Sequence, residues 1–356
     1  MSEEFTLEIK EREYFEEGIF RVLDKLHSDS AKFITNTKRP HYYIHEVRTN
    51  IKKIRGLLRL LRHEIGENSY NEMNAYYRDL AMEVAPLRDD TSQIELLREI
   101  KLKLRNPAVT KAIDKIISQH RRNRKTAFDL FKQSGHAEDI KQMILGLQQM
   151  IHSLSFTGDP EFFILKSLQH VYKRARGAFE TTEFLNDDEI YHYWRKQVKY
   201  LTYHLMLLNK AWQNSIRTYI SDLSFLGSSL GKLHDLNLFH EAIKSKNIQI
   251  SDKDSRKKLM RYLYNRRWLL RKQVHALGEQ CFIESSEAFS LRIFENWQNS
   301  VIHKKILVGA NRRMTFGANE ITIKLLFLLP FPTTLTWFSN CVWLHSLSTG
   351  FRKSYC

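Results

Sequence analysis

"HYYIHEVRTNIKKIRGLLRLLR", residues 41–62, combines the pattern of a buried helix with a row of cations. At 100° per residue its branched apolar residues share one face of a helix, at about 160° to 240° when His45 is set at zero. The other cations fall at about 280° to 340° on the same wheel. The sequence therefore predicts an amphipathic helix with a separate cationic stripe, about 21 Å long at 1.5 Å per residue. The stripe consists of His45, Arg48, Lys52, Arg55 and Arg59.

The same plan returns in the second half of the chain. The segment "YHYWRKQVKYLTYHLMLL" aligns with the first stretch and places His45 over His192, a shift of 147 residues. A later pair of segments places Asp89 over Asp235, a shift of 146 residues, and a third pair keeps the order. Ordered matches at nearly one spacing indicate an internal duplication.

The second stripe is thinner than the first. Thr202 and Met206 stand where the first half has Arg55 and Arg59, so the first half contributes more charge. A single basic helix is typical of a solvated surface, whereas a repeated one favours a binding site. The cations that repeat are His192, Arg195 and Lys199.

The composition predicts an all-α chain. It has only 13 glycines and 6 prolines, where average usage gives about 25 and 18. We expect two four-helix bundles, related by internal duplication and pseudo-twofold symmetry around a basic central groove. A turn near Pro160 divides the domain, residues 15–303, into halves at about 15–155 and 160–303. Residues 306–356 form a hydrophobic C-terminal tail that could pack on the bundle, touch a membrane or have no role.

The charge of the chain indicates an anionic partner. A net charge of +16 attracts polyanions such as nucleic acids and polyphosphates, with an affinity that falls as salt rises. Three widely separated cysteines are too few for a disulfide framework or a zinc cluster, which favours a reducing, cytoplasmic compartment. The acidic N-terminus is not a secretory signal, and we expect no cofactor.

The segments "HEVRTNIKKIR" and "HYWRKQVKYL", each followed by "LRDD" or "LHDLN", resemble the CHAD domain, a family named for its conserved histidines and α-helical fold. The resemblance covers roughly residues 15–300 and implies two four-helix bundles that bind inorganic polyphosphate without catalysis, often at polyphosphate granules. Such domains frequently follow a CYTH triphosphatase-like domain. Because "LEIKERE" lacks that domain's Glu-x-Glu-x-Lys pattern, we expect a stand-alone CHAD protein.

The resemblance also implies a set of ligand contacts. Arg88 and His234 occupy the family's (Arg/His)-Asp position and are expected to line the site beside the two stripes. Basic clusters on neighbouring helices would extend the site if they converge on one groove. The full set of expected polyphosphate contacts is His45, Arg48, Lys52, Arg55, Arg59, Arg88, Lys173, Arg176, His192, Arg195, Lys196, Lys199, His234 and Arg266.

A metal-dependent phosphohydrolase is one alternative, because His234 and Asp235 form an "HD" pair. The first half has an arginine in the place of that histidine, and a cation does not replace a metal ligand. His41 and His45 have i,i+4 metal spacing, but no further ligands accompany them in both halves. We therefore expect no metal site, and we expect Asp89 and Asp235 to cap a helix or to orient an arginine.

Nucleic-acid binding is the second alternative. Aromatic residues near the stripes could stack on bases, although most of them lie on or beside the apolar face, which favours core packing. These residues are Tyr42, Tyr43, Tyr191, Tyr193 and Trp194.

Overall fold

The computed structural model describes residues 7–10, 13–156, 158–209 and 214–298. Within these ranges the chain contains helices and no β-strand, which confirms the all-α class. No helix in the described ranges is long and apolar enough to cross a membrane. The tail assigned to residues 306–356 lies outside the described residues, so its role stays a prediction.

Proline sets the start of several helices. Pro40, Pro86, Pro107 and Pro160 each stand at the first helical position, where a missing N–H leaves no hydrogen bond unmade. The helices of the first half are α1 (Phe15–Ile34), α2 (Pro40–Ile65), α3 (Glu67–Val84), α4 (Pro86–Leu104), α5 (Pro107–Gln133) and α6 (His136–His152).

Aspartate caps three of the helices of the second half. The carboxylates of Asp159, Asp187 and Asp252 accept backbone N–H bonds in the first turns of α7, α8 and α10. The helices of this half are α7 (Pro160–Phe184), α8 (Asp188–Leu207), α9 (Asn214–Lys244), α10 (Lys253–Cys281) and α11 (Ser286–Gln298).

The packing order repeats between the halves. Helix α1 packs against α2 and α6, and α2 packs against α3; likewise α7 packs against α8 and α11, and α8 packs against α9. In addition, α4 packs against α5, and α9 packs against α10. With these helices the described halves have six and five helices rather than about four. One long helix, α9, stands in the place of α3 and α4, which are separated at Ala85 by Pro86. The pseudo-twofold rotation itself stays a prediction.

The two halves meet where α2 packs against both α7 and α8. The approach of α2 to α8 is especially close. A Cβ atom on Gly56 would lie 2.8 Å from Cδ2 of Tyr203, so only glycine permits this close approach. His204, which is fully buried, donates an Nε2–H bond of 2.8 Å to the carbonyl of Gly56. Burial lowers the pKa of His204 to about 4, so the ring is neutral at physiological pH.

We predict that Gly56→Ala destabilises the protein by about 1 to 3 kcal/mol, because the added methyl group overpacks the α2–α8 crossing. Gly146 in α6 is the matched control, since a Cβ there meets no atom within 4 Å. Gly146→Ala is expected to stabilise the helix by roughly 0.5 to 1 kcal/mol. The free energy of unfolding from urea titration measures both changes, and equal effects of the two substitutions would contradict the tight crossing.

Candidate functional site

Lys52 of α2 lies at the centre of a cationic cluster between the halves. Its side chain is accessible to solvent, yet neighbouring protein atoms desolvate its ammonium group. This desolvation, together with the nearby charges of Arg195, Arg48 and Lys199, lowers the pKa of Lys52 to about 8. Asp235 opposes these effects. Charges from both stripes therefore act on one another across the α2–α8 crossing.

We call this cationic cluster the basic groove, after the groove that the sequence predicts; the concave shape of a groove stays a prediction. The cluster is formed by four helices, with α2 and α4 from the first half and α8 and α9 from the second. Some of its residues are joined by hydrogen bonds or ring contacts. Others are close enough for their charges to shift one another's pKa values. The residues of the basic groove are His45, Arg48, Lys52, Arg88, His192, Arg195, Lys196, Lys199 and His234.

The two equivalent arginines differ in how they are held. Arg48 donates from Nη1 to the Ala85 carbonyl at 2.8 Å and to Oδ1 of Asp89 at 3.2 Å. Arg195, in contrast, has a buried Nε with no hydrogen-bond partner among the described residues. A buried donor without a partner is unfavourable. Arg195 is thus the arginine of the pair that an anion would stabilise most.

The histidines of the groove are neutral at physiological pH. The rings of His192 and His234 are in contact, with centroids 4.4 Å apart and planes tilted by 34°. Burial first, and then the surrounding cations, lower the pKa of His192 to about 4 and that of His234 to about 3. His45 accepts a hydrogen bond at Nδ1 from Nε of Arg88, and burial lowers the pKa of its ring as well. The histidines can donate N–H bonds to a ligand, while arginine and lysine supply the charge.

Arg55 and Arg59 lie beside the groove rather than in its centre. Nε of Arg55 donates to Oδ1 of Asn74 at 3.1 Å. The guanidinium of Arg59 lies 4.0 Å from the ring centroid of Tyr200 and 5.7 Å from that of Tyr70. Cation–π contacts of this kind stabilise a partly buried guanidinium. These arginines link α2 to α3 and α8.

Three expected contacts are placed elsewhere. Arg176 pairs with Glu180 and donates at 2.6 Å to the carbonyl of Glu284, where it supports the connection between α10 and α11. Arg266 of α10 lies near Glu99 of α4, and its charge helps to lower the pKa of that carboxyl group. Lys173 is exposed on α7, outside the groove. These three side chains therefore face solvent or other partners and not Lys52.

The acidic residues of the groove act on arginine and lysine. Asp89 accepts the hydrogen bond from Arg48, as expected of a carboxylate that orients an arginine. Asp235 lies inside α9 and so does not cap a helix; it interacts with Arg195 and Lys52. Across the described ranges, no three His, Cys, Asp or Glu side chains are grouped as metal ligands.

Two of the five aromatic residues named for base stacking are part of the core. Trp194 is 0% exposed and Tyr191 is 4% exposed, so neither ring can receive a base from solvent. Tyr43 packs against Phe33, with ring centroids 4.9 Å apart. Tyr42 and Tyr193 are exposed. This arrangement follows the apolar face that the helical wheel indicated.

Two glycines of α9 shape the groove and were not singled out from the sequence. A Cβ on Gly231 would lie 3.1 Å from Nε of Arg195, and one on Gly227 would lie 3.3 Å from Cε of Lys199. Glycine inside a helix is destabilising by roughly 0.5 to 1 kcal/mol relative to alanine. The i,i+4 spacing of the two glycines in "LGSSLGKL" was the available signal, since it places both on one helix face.

Comparison with known proteins identifies a family and a solved structure of similar fold. A family model of the CHAD domain matches residues 21–244. The crystal structure of the CHAD domain from the plant Ricinus communis superposes with a TM-score of 0.60 at 14% sequence identity, covering 78% of this chain and 95% of that chain. At this identity the match is one of fold. No curated protein matches the chain.

We predict that Lys52 titrates near pH 8, below the 10.5 of an ordinary lysine. NMR of ¹³C-methylated lysines, assigned with Lys52→Arg, measures its pKa. Replacing the neighbouring charge in Lys199→Met should raise that pKa, whereas Lys173→Met should leave it unchanged. Because the unfolded chain binds this proton more tightly, the contribution of Lys52 to stability should improve as pH rises above about 8. An unshifted pKa would show that the cations do not converge.

Proposed function

This chain belongs to the CHAD domain family, and we propose on that premise that it binds inorganic polyphosphate, without catalysis, in the basic groove. The observation that carries the proposal is the convergence of Lys52, Arg195 and Lys199 from the two halves in one cationic cluster. We further propose that binding takes place in the cytoplasm, at polyphosphate granules where these are present.

The electrostatics of the groove support an extended anion. Like charges at i,i+3 and i,i+4 within a helix are destabilising by roughly 0.2 to 0.5 kcal/mol per pair, and here cations from a second helix join them. Bound phosphates would offset this repulsion. Polyphosphate carries about one charge per phosphate along a flexible chain, so it suits a row of cations, and arginine adds bidentate geometry.

The groove favours phosphate over a catalytic metal ion. The pair that suggested a phosphohydrolase, His234 and Asp235, is surrounded by the positive charges of Arg195 and Lys52. A divalent cation placed there would be repelled by both side chains. The same charges would attract the oxygens of a polyphosphate chain, with the neutral histidines as additional hydrogen-bond donors.

We predict that Lys52→Glu and Arg195→Glu each weaken binding of long-chain polyphosphate roughly ten-fold or more, because each loses charge-assisted hydrogen bonds and introduces repulsion. Their binding should also depend less steeply on salt. Lys173→Glu is the control, since it makes the same charge change on the exposed surface of α7. Isothermal titration calorimetry at several salt concentrations measures all three variants.

Several outcomes of this titration would contradict the proposal. Equal losses in Lys173→Glu and Lys52→Glu would show that net charge, not the groove, determines affinity. Pyrophosphate that binds as tightly as the long polymer would exclude an extended track. Preference for single-stranded RNA in direct competition would favour nucleic-acid binding, and release of orthophosphate by the purified protein would contradict the non-catalytic assignment.

We also predict that Gly231→Ala weakens polyphosphate binding, because the new methyl group displaces the Arg195 guanidinium. The substitution should leave thermal stability unchanged or slightly higher, since alanine is the better helix former. Ser228→Ala, on the exposed surface of the same helix, is the matched control and should keep wild-type affinity. Unchanged affinity in Gly231→Ala would remove Arg195 from the binding site.

A further inference from the structure

A second cavity lies apart from the basic groove, between the end of α7, the start of α8 and one face of α10. Its volume is about 620 Å³, which falls in the range of small-molecule sites. We call it the α10 cleft. Its lining combines aromatic, basic and acidic side chains: Thr182, Glu183, Asn186, Tyr191, Tyr264, Arg267, Trp268, Arg271, Lys272, His275, Ala276 and Glu279.

Helix α10 supplies two parallel rows to the cleft. Tyr264, Trp268 and Lys272 are spaced i,i+4, so they form one continuous row on the helix surface. Tyr264 is 66% exposed and Trp268 is 48% exposed, which is unusual for large aromatic side chains. Nζ of Lys272 lies 4.0 Å from the ring centroid of Trp268. This row presents flat aromatic surface next to a cation.

The second row consists of Arg267, Arg271 and His275, and a carboxylate holds its two arginines. Asp188 accepts hydrogen bonds from Arg271 at 2.9 Å and from Arg267 at 3.3 Å. His275 bonds through Nε2 to the hydroxyl of Tyr191 at 3.0 Å. Paired arginines held in this way are pre-organised, so a ligand that meets them loses little additional side-chain entropy.

The corresponding place in the first half is built differently. The cavity between the end of α1, the start of α2 and the end of α5 is smaller, about 240 Å³, and its lining is mostly apolar. Phe128 and Phe131 of α5 line it, whereas α10 presents its arginines and exposed aromatics. The cleft is therefore not a by-product of the repeated architecture, because the duplicated scaffold accommodates an apolar lining at this position.

We propose that the α10 cleft binds a free nucleotide, with its base stacked on Trp268 and Tyr264 and its phosphate near Lys272 and Arg271. Exposed aromatic rings bind bases through their faces, and the adjacent cations suit a phosphate. The carboxylates of Glu183 and Glu279 at the same cleft limit its positive charge and disfavour a long polyanion. The ligand class of this cleft thus differs from that of the basic groove.

The experiment uses the full chain labelled with 5-fluorotryptophan and AMP as the probe. Trp268→Phe assigns the ¹⁹F resonance of Trp268 among those of the six tryptophans. AMP should shift that resonance in a saturable manner, and inorganic phosphate should shift it far less. Trp268→Ala removes this reporter, so its AMP affinity is measured by isothermal titration calorimetry; it should fall on the order of ten-fold, as expected for loss of base stacking. Leu269→Ala, at the adjacent exposed position of α10, should not change the affinity.

Competition experiments separate this proposal from polyphosphate binding. AMP should still bind Lys52→Glu with wild-type affinity, and saturating long-chain polyphosphate should not displace it. No Trp268 shift at millimolar AMP, an equal response to inorganic phosphate, or a response to an oligonucleotide alone would each overturn the free-nucleotide site. None of these results bears on whether the basic groove binds polyphosphate.

Discussion

The close contact between Gly56 of α2 and Tyr203 and His204 of α8 sets how near these two helices lie where the halves meet. Because Gly56 has no side chain, the two helix backbones approach until the ring of Tyr203 fills the space that a Cβ would need. Lys52 precedes Gly56 by about one helical turn, and Lys199 precedes Tyr203 by the same distance. A tightly packed, glycine-dependent crossing therefore brings the two cationic stripes together, one turn away from the point of contact.

Each cation near this crossing is accommodated in a different way. Arg48 is bound to a backbone carbonyl and to Asp89, and Arg59 lies over the ring of Tyr200. Arg195 and Lys52 receive less compensation, with a buried donor in one case and a lowered pKa in the other. Arg48 and Arg195 align with each other in the sequence, but their different surroundings decide which of them has positive charge available for a ligand.

Helical periodicity was sufficient to predict the all-α class and the separation of core from cations on α2. It could not predict that Arg59 would face an aromatic ring of the other half, because a helical wheel gives a direction and not the neighbour found there. Arg176 was assigned to the groove on charge alone, yet its guanidinium supports the loop before α11. The role of Gly231 required coordinates, since its importance lies in the side chain of Arg195.

The interruption between α3 and α4 gives the two walls of the groove different mechanics. At Ala85 the helix stops and restarts at Pro86, so the backbone hydrogen-bond ladder is broken there. Helix α9 runs uninterrupted through the matching region. A helix without an interruption bends gently along its length and does not kink at one point. A polymer bound as proposed would thus contact one continuous helix on one side and two helices joined at Ala85 on the other.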